Sequence, residues 1–193
     1  MTNPLPPSVV ALVASAGGVE ALQRVLAPLP ADFPAAVLVC LHVSPYSRGS
    51  LPAVLDRSTQ LLVRNARDQD SLTTSEVLVA PPGKHLLISS AAEVCLIDSG
   101  EHPPARPSAD LMLVTLAMSC GPRVTAVVLT GIGNDGTAGI RTVSYCGGTV
   151  LAQDEASSQH FEMPRSAIST KLVDKVVPLG QIANVLVGVV SDR

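Results

Sequence analysis

Three residue types that together perform acyl transfer stand in this chain directly behind apolar runs. Ser15 follows "SVVALVA", His42 follows "AAVLVCL", and Asp135 lies in "GIGNDG" just after "VTAVVLT". A serine hydroxyl becomes an effective nucleophile only when a base within hydrogen-bond reach takes its proton. Imidazole suits that task near neutral pH, and a carboxylate fixes its tautomer and stabilises the imidazolium. Taken singly, each residue has a plainer explanation. Ser15 would cap the helix that "GGVEALQRVL" begins, His42 would be a packed or surface histidine, and "GIGNDG" would be a glycine-rich turn in which Asn134 and Asp135 tolerate unusual backbone angles. On pattern alone both accounts stay open. A nucleotide cradle has less support: "VASAGG" lacks the first two glycines of G-x-G-x-x-G, and there is no Walker pattern.

Convergence of the three residues requires strands that end side by side. Apolar, β-branched runs recur at "SVVALV", "AAVLVCL", "LLVRN", "EVLVA", "VTAVVLT", "GTVLAQ" and "DKVVPL". Segments with helical spacing lie between several of them: "VEALQRVLAPL", "RGSLPAVLDRS", "SADLMLVTLAMSC", "TAGIRTVSYC" and "GQIANVLVGVV". This alternation predicts an α/β fold with a doubly wound, mostly parallel sheet. "VAPPGKHLLISSAAEVCLIDS" contains no helical segment and predicts an inserted antiparallel hairpin. With no linker or repeat, residues 1–193 are expected to form a single domain with its core over about 8–190. In such a sheet ligands gather outside the carboxyl ends of the strands, where Ser15, His42 and Asp135 would sit.

Composition narrows the function classes. A hydrophobic fraction of 47% against 15% charged residues excludes a disordered chain. Aromatics at 2% and a net charge of −3 without a basic cluster argue against a nucleic-acid partner. No run reaches membrane-spanning length and no signal segment opens the chain, so a cytoplasmic protein without membrane insertion is expected. Cys40, Cys95, Cys120 and Cys146 form no C-x-x-C pair and read as buried thiols, and the histidines show no metal-ligand spacing.

Several long blocks then resemble one family, the catalytic domain of chemotaxis-type protein-glutamate methylesterases (CheB). They are "ASAGGVEAL", "LHVSP", "VAPPGKHLLI", "RPSADLM", "VVLTGIGNDGTAGI" and "GGTVLAQDEASSQHFEMPRSAI", in the family's order and over nearly the whole chain. The resemblance implies hydrolysis of glutamyl methyl esters on the cytoplasmic helical region of methyl-accepting receptors, with release of methanol. It also implies Ser15 as nucleophile, His42 as base, Asp135 as its orienting carboxylate and the Ile132 amide as oxyanion donor, with no metal or cofactor. A glutamine deamidase using the same triad and a non-catalytic partner-binding module are the alternatives.

Three positions depart from the family pattern. Val13 stands where the family has Gly, Ala16 where Thr is frequent, and Ile132 where Met is usual. Positive φ is unfavourable for a β-branched residue, so Val13 is expected to hinder a sharp nucleophile turn. Only "MTNPLPP" precedes the first strand, whereas the family usually begins with a receiver domain. Control is therefore expected from a separate regulatory protein, if there is any.

Arg106 is a substrate-binding candidate, with a solvated arginine the equal alternative. Met163, with Pro164, is a second candidate for shaping the cleft. Ser108 and Asp110 read as helix-start chemistry, Asp154 and Glu155 as a solvated loop, and His85, His102 and His160 as structural or exposed.

Overall fold

The central runs of Val, Leu, Ile and Ala become strands covered on both faces, while the two edge strands of the sheet keep exposed residues. The structure, a computed structural model, describes residues 8–47, 49–100 and 106–191. The "MTNPLPP" segment and His102 lie outside them. The elements are β1 (Ser8–Ala14), α1 (Gly18–Leu26), β2 (Ala35–Leu41), α2 (Leu51–Asp56), β3 (Leu62–Asn65), β4 (Glu76–Val79), β5 (Lys84–Ile88), β6 (Val94–Asp98), α3 (Ala109–Cys120), β7 (Val124–Val128), α4 (Thr137–Tyr145), β8 (Thr149–Gln153), α5 (Glu162–Ser169), β9 (Lys175–Val177) and α6 (Ile182–Ser191). β3-β4-β2-β1-β7-β8-β9 form one parallel sheet, and β5 and β6 pair antiparallel as the separate hairpin. The expected α/β architecture is present.

Alternation along the strands builds two cores. On β1, Val9, Ala11 and Val13 face α3, α4, α5 and the hairpin, while Val10, Leu12 and Ala14 face α1, α2 and α6. All seven residues of β1 are buried, as are all seven of β2. The chain leaves β1 toward β2 on one side and leaves β7 toward β8 on the other, by helices on opposite faces. A crevice therefore opens at the carboxyl ends of β1 and β7, the usual place for a ligand in an open α/β sheet.

One element was not legible. α5 begins "EMP", and a proline normally argues against a helix interior. Pro164 lies in the first turn, where its missing N–H costs nothing, and Met163, Pro164 and Ala167 bury its inner face.

Candidate active site

The nucleophile candidate leaves β1 without strain. Val13 keeps parallel register with Cys40 of β2 and Val128 of β7 and has no positive φ, so the expected hindrance at Val13 does not arise. The left-handed residue of the turn is Gly17, at φ 78°. Ser15 N–H donates to Thr130 O at 3.0 Å, and Ser15 O accepts from Gly18 N at 2.9 Å. Ser15 is thus pinned between the end of the neighbouring strand and the first turn of α1.

β2 delivers His42 beside it. Ala14 pairs with Leu41 in register, and His42 N–H donates to Ala14 O at 3.1 Å, so Ser15 and His42 follow adjacent strand ends. His42 Nε2 lies 2.8 Å from Asp135 Oδ2, with the two side chains 16% and 11% exposed. Since the carboxylate accepts, Nε2 carries the proton and Nδ1 keeps the lone pair. Ser15 Oγ makes no hydrogen bond among the described residues. Nucleophile–base contacts of this kind commonly tighten only around a bound substrate.

Asp135 is held by more than His42. Its Oδ2 also accepts from Ala109 N at 2.6 Å, and its Oδ1 from Asp110 N at 3.1 Å and Ser108 Oγ at 3.2 Å. The carboxylate therefore sits on the N-terminus of α3, where orphan amides and the helix dipole favour an anion. Burial pushes the Asp135 carboxyl up, but the hydrogen bonds from His42, Ala109 and Asp110 more than offset it and hold the group below its ordinary value. Asp110 does the reverse service: its Oδ1 accepts from Gly139 N in the first turn of α4, at 2.7 Å. Burial, and then the neighbouring Asp135 charge, raise the Asp110 carboxyl. The two helices thus exchange capping carboxylates across the site.

Behind α3 stands His85 of the hairpin, buried, with Nδ1 accepting from Ser108 N at 2.9 Å. That bond needs a neutral ring, and burial lowers the His85 pKa, against an opposing effect of the Asp135 charge. The expected helix-start role of Ser108 holds, since its Oγ accepts from Leu111 N at 3.3 Å.

On the opposite side, α5 is stitched to the "GIGNDG" loop. Gly131 N donates to His160 O (2.9 Å), Met163 N to Gly131 O (3.0 Å), and Gly133 N to Glu162 Oε2 (3.1 Å). The amide between them, Ile132 N–H, has no acceptor among the described residues, nor has Ala16 N–H directly after Ser15. A Cβ added to Gly131 would lie 2.3 Å from Met163 Sδ and 2.8 Å from Ser15 Cβ. Gly131 is therefore the contact that brings the Ser15 side chain against the loop bearing Ile132.

The substrate-binding candidates are placed less centrally. Met163 is buried beneath Gly131, supporting the loop from inside. Arg106 donates from Nη1 to Gly100 O at 2.7 Å, while its carbonyl accepts from Val43 N, next to His42, at 3.0 Å. His160 meets the site through its backbone, and Asp154 binds Ser157 within its own loop. All four cysteines are free, Cys40 and Cys120 buried and Cys95 and Cys146 half-buried. Among the described residues no group of His, Cys, Asp or Glu has a metal-holding arrangement, and no helix is long and apolar enough to cross a membrane.

Two site residues escaped the sequence reading. The fully buried Gln153 accepts from Thr130 N at 2.8 Å and donates to Ser157 O at 2.7 Å. Thr130 in turn takes the Ser15 amide on its carbonyl, accepts from His160 N at 2.8 Å through its hydroxyl, and has Ala16 O within donating distance at 3.0 Å. A glutamine among apolar residues at the end of "TVLAQ" was the available signal, because a buried amide requires partners.

The family model for CheB methylesterase matches residues 10–186. A Moorella thermoacetica protein named protein-glutamate methylesterase/protein-glutamine glutaminase is 40% identical over 95% of this chain and 44% of its own length. FrzG of Myxococcus xanthus, named protein-glutamate methylesterase, is 38% identical over 95% of this chain and 55% of its own. The chain thus spans about half the length of the curated relatives it matches. The crystal structure of the Thermotoga maritima CheB methylesterase catalytic domain superposes with a TM-score of 0.89 at 33% identity, covering 94% of this chain and 98% of that one.

Proposed function

Since the chain belongs to the CheB methylesterase family, we propose that it hydrolyses γ-methyl esters of glutamate in a protein substrate through Ser15, His42 and Asp135. The observation that carries this reading is the 2.8 Å His42–Asp135 pair, on a residue whose backbone N–H is bonded to Ala14 just before Ser15, with Nδ1 left as the base. Ser15 Oγ attacks the ester carbonyl as Nδ1 of His42 takes its proton. The developing oxyanion is received by the unpaired amides of Ile132 and Ala16, since donors aimed at that charge lower the barrier most. Collapse expels methanol, which leaves with the proton from His42. Water then attacks the acyl-enzyme, giving its proton to His42, and glutamate is released as Ser15 is regenerated. No step requires a metal or cofactor.

The substrate class is the cytoplasmic helical region of methyl-accepting receptors, reached in the cytoplasm. With an amide in place of the ester the same steps release ammonia. The relatives named as glutaminases support this second activity. The third alternative, a binding module without catalysis, rested on Val13, and the unstrained turn removes its motive.

Methanol release from a methylated receptor fragment tests the reading. Wild type should release it, and Ser15→Ala should be folded and inactive. Undiminished release by Ser15→Ala, or none from folded wild type, would refute the assignment.

A further inference from the structure

We propose that the groove between α4 and α5 receives a carboxylate-bearing stretch of the substrate polypeptide, so that Arg141 and Arg165 select glutamyl esters with acidic neighbours; this rests on the esterase reading above. The groove has a volume of about 470 Å³. Asn134, Thr137 and Arg141 form one wall, and Arg165, Ser166 and Ser169 stand opposite, with no carboxylate in the lining.

Three observations favour an anion there. Both arginines are exposed, and neither guanidinium has a hydrogen-bond or ion-pair partner among the described residues. Arg64, by contrast, is clamped by Asp70 and Glu76, and Arg106 and Arg123 donate to backbone carbonyls. Two unneutralised cations facing one groove repel each other, in a chain whose net charge is −3. The hydroxyls do not compete for the ligand: Thr137 Oγ1 donates to Asn134 O at 2.6 Å and Ser169 Oγ to Arg165 O at 2.8 Å. Beside the Asn134 amide, this leaves the two guanidinium forks as the charged donors of the groove, and their planar geometry matches a carboxylate.

The position ties the groove to the reaction. Asn134 in its wall is adjacent in sequence to Asp135 and two residues from Ile132. Ser166 Oγ touches Gly133 O at 3.5 Å, and Thr137 and Arg141 are separated by one turn of α4. A polypeptide with its ester at Ser15 that runs over the half-exposed Ile132 therefore enters the groove about one to two helical turns from the scissile residue. The reaction itself makes carboxylates on its substrate, so a chain hydrolysed once presents the recognised group to the next turnover. Carboxylate side chains of the substrate, rather than free phosphate, are thus the occupant.

The test uses synthetic helical peptides with one glutamyl methyl ester, flanked one and two turns away by Glu, Gln or Lys. Methanol release gives kcat/KM on each, and fluorescence anisotropy with the Ser15→Ala protein gives Kd at low and high salt. An exposed ion pair is worth a few-fold in affinity, so two should give the Glu peptide about a tenfold advantage over the Gln peptide at low salt, shrinking as salt rises. Arg141→Ala with Arg165→Ala should bring the ratio close to one. Arg141→Glu with Arg165→Glu should turn the preference toward the Lys peptide. Equal ratios in wild type and the double alanine variant, or competition by inorganic phosphate without any preference for the Glu peptide, would overturn the proposal. If Arg-dependent binding of the Glu peptide occurs without hydrolysis, the groove stands and the esterase reading falls. Hydrolysis of all three peptides at equal rates has the opposite meaning, and absence of both binding and hydrolysis overturns both.

Discussion

Replacing Asp135 by asparagine separates the two roles of this carboxylate. Oδ2 accepts from His42 and Ala109, and Oδ1 from Asp110 and Ser108. An asparagine has only one acceptor oxygen. With that oxygen in the Oδ2 position, the NH2 group opposes the Asp110 amide; turned the other way, it opposes the Ala109 amide and requires His42 Nε2 to accept. The latter arrangement moves the imidazole proton to Nδ1, the atom needed as base. Hydrogen bonds to a charged group are worth about 1.5–3 kcal/mol each, so losing the carboxylate on α3 should cost about 2–4 kcal/mol of stability. For a chain of this length that corresponds to a fall in Tm of about 5–15 °C. Tautomer reversal in a Ser-His-Asp triad lowers kcat by about 10⁴, and a similar loss is expected here. Because the folded Asp135 carboxyl lies below its ordinary value, its contribution is complete above the unfolded value near pH 4 and is lost as pH falls through the folded one. The Tm difference between wild type and Asp135→Asn should therefore narrow on acidification below about pH 4. Thermal melting across pH, with methanol release at neutral pH, measures both effects. An Asp135→Asn protein with wild-type Tm and less than a tenfold rate loss would refute the reasoning.

Gln153→Leu leaves the Thr130 amide buried without its acceptor and should cost about 1–3 kcal/mol in chemical denaturation, with a lower kcat because Ser15 is pinned to Thr130. Gly131→Ala should impair activity well beyond its effect on folding, since the added Cβ meets both Met163 Sδ and Ser15 Cβ; the measurement is kcat at a temperature where both proteins are folded. His85 has a lowered pKa in the folded protein, so its stabilising effect is full above about pH 6.5 and is lost as pH falls toward the folded value. His85→Asn, which can keep an acceptor near the Nδ1 position, should retain more activity and stability than His85→Gln, and should lack the loss of Tm just below pH 6.5.

The strands and the hairpin were legible because a buried parallel strand is written in local chemistry, as in "AAVLVCL", and "PPG" signals a turn. The catalytic candidates were legible as strand-end polar residues, a consequence of sheet geometry. What makes them a site was not, because it depends on contacts distant in sequence. Nothing in "RPSADLM" announces that the amides after Ser108 will hold a carboxylate from the "GIGNDG" loop. Nothing in "TVLAQ" tells which amide Gln153 serves. The hindrance expected at Val13 assumed a left-handed residue there; that residue is Gly17, four positions later. The helix at "EMPRSAIS" was obscured by a proline whose position in the first turn is visible only once the helix is known.

The exchange of carboxylates between α3 and α4 has an evolutionary reading. Asp135 serves the architecture as well as the proposed chemistry, whereas Ser15 contributes no side-chain hydrogen bond to the fold among the described residues. A descendant that abandoned catalysis would be free to replace Ser15 long before it could discard Asp135. Among proteins built on this plan, the serine is therefore the residue whose presence reports a working enzyme, while the aspartate would outlast the activity as part of the scaffold.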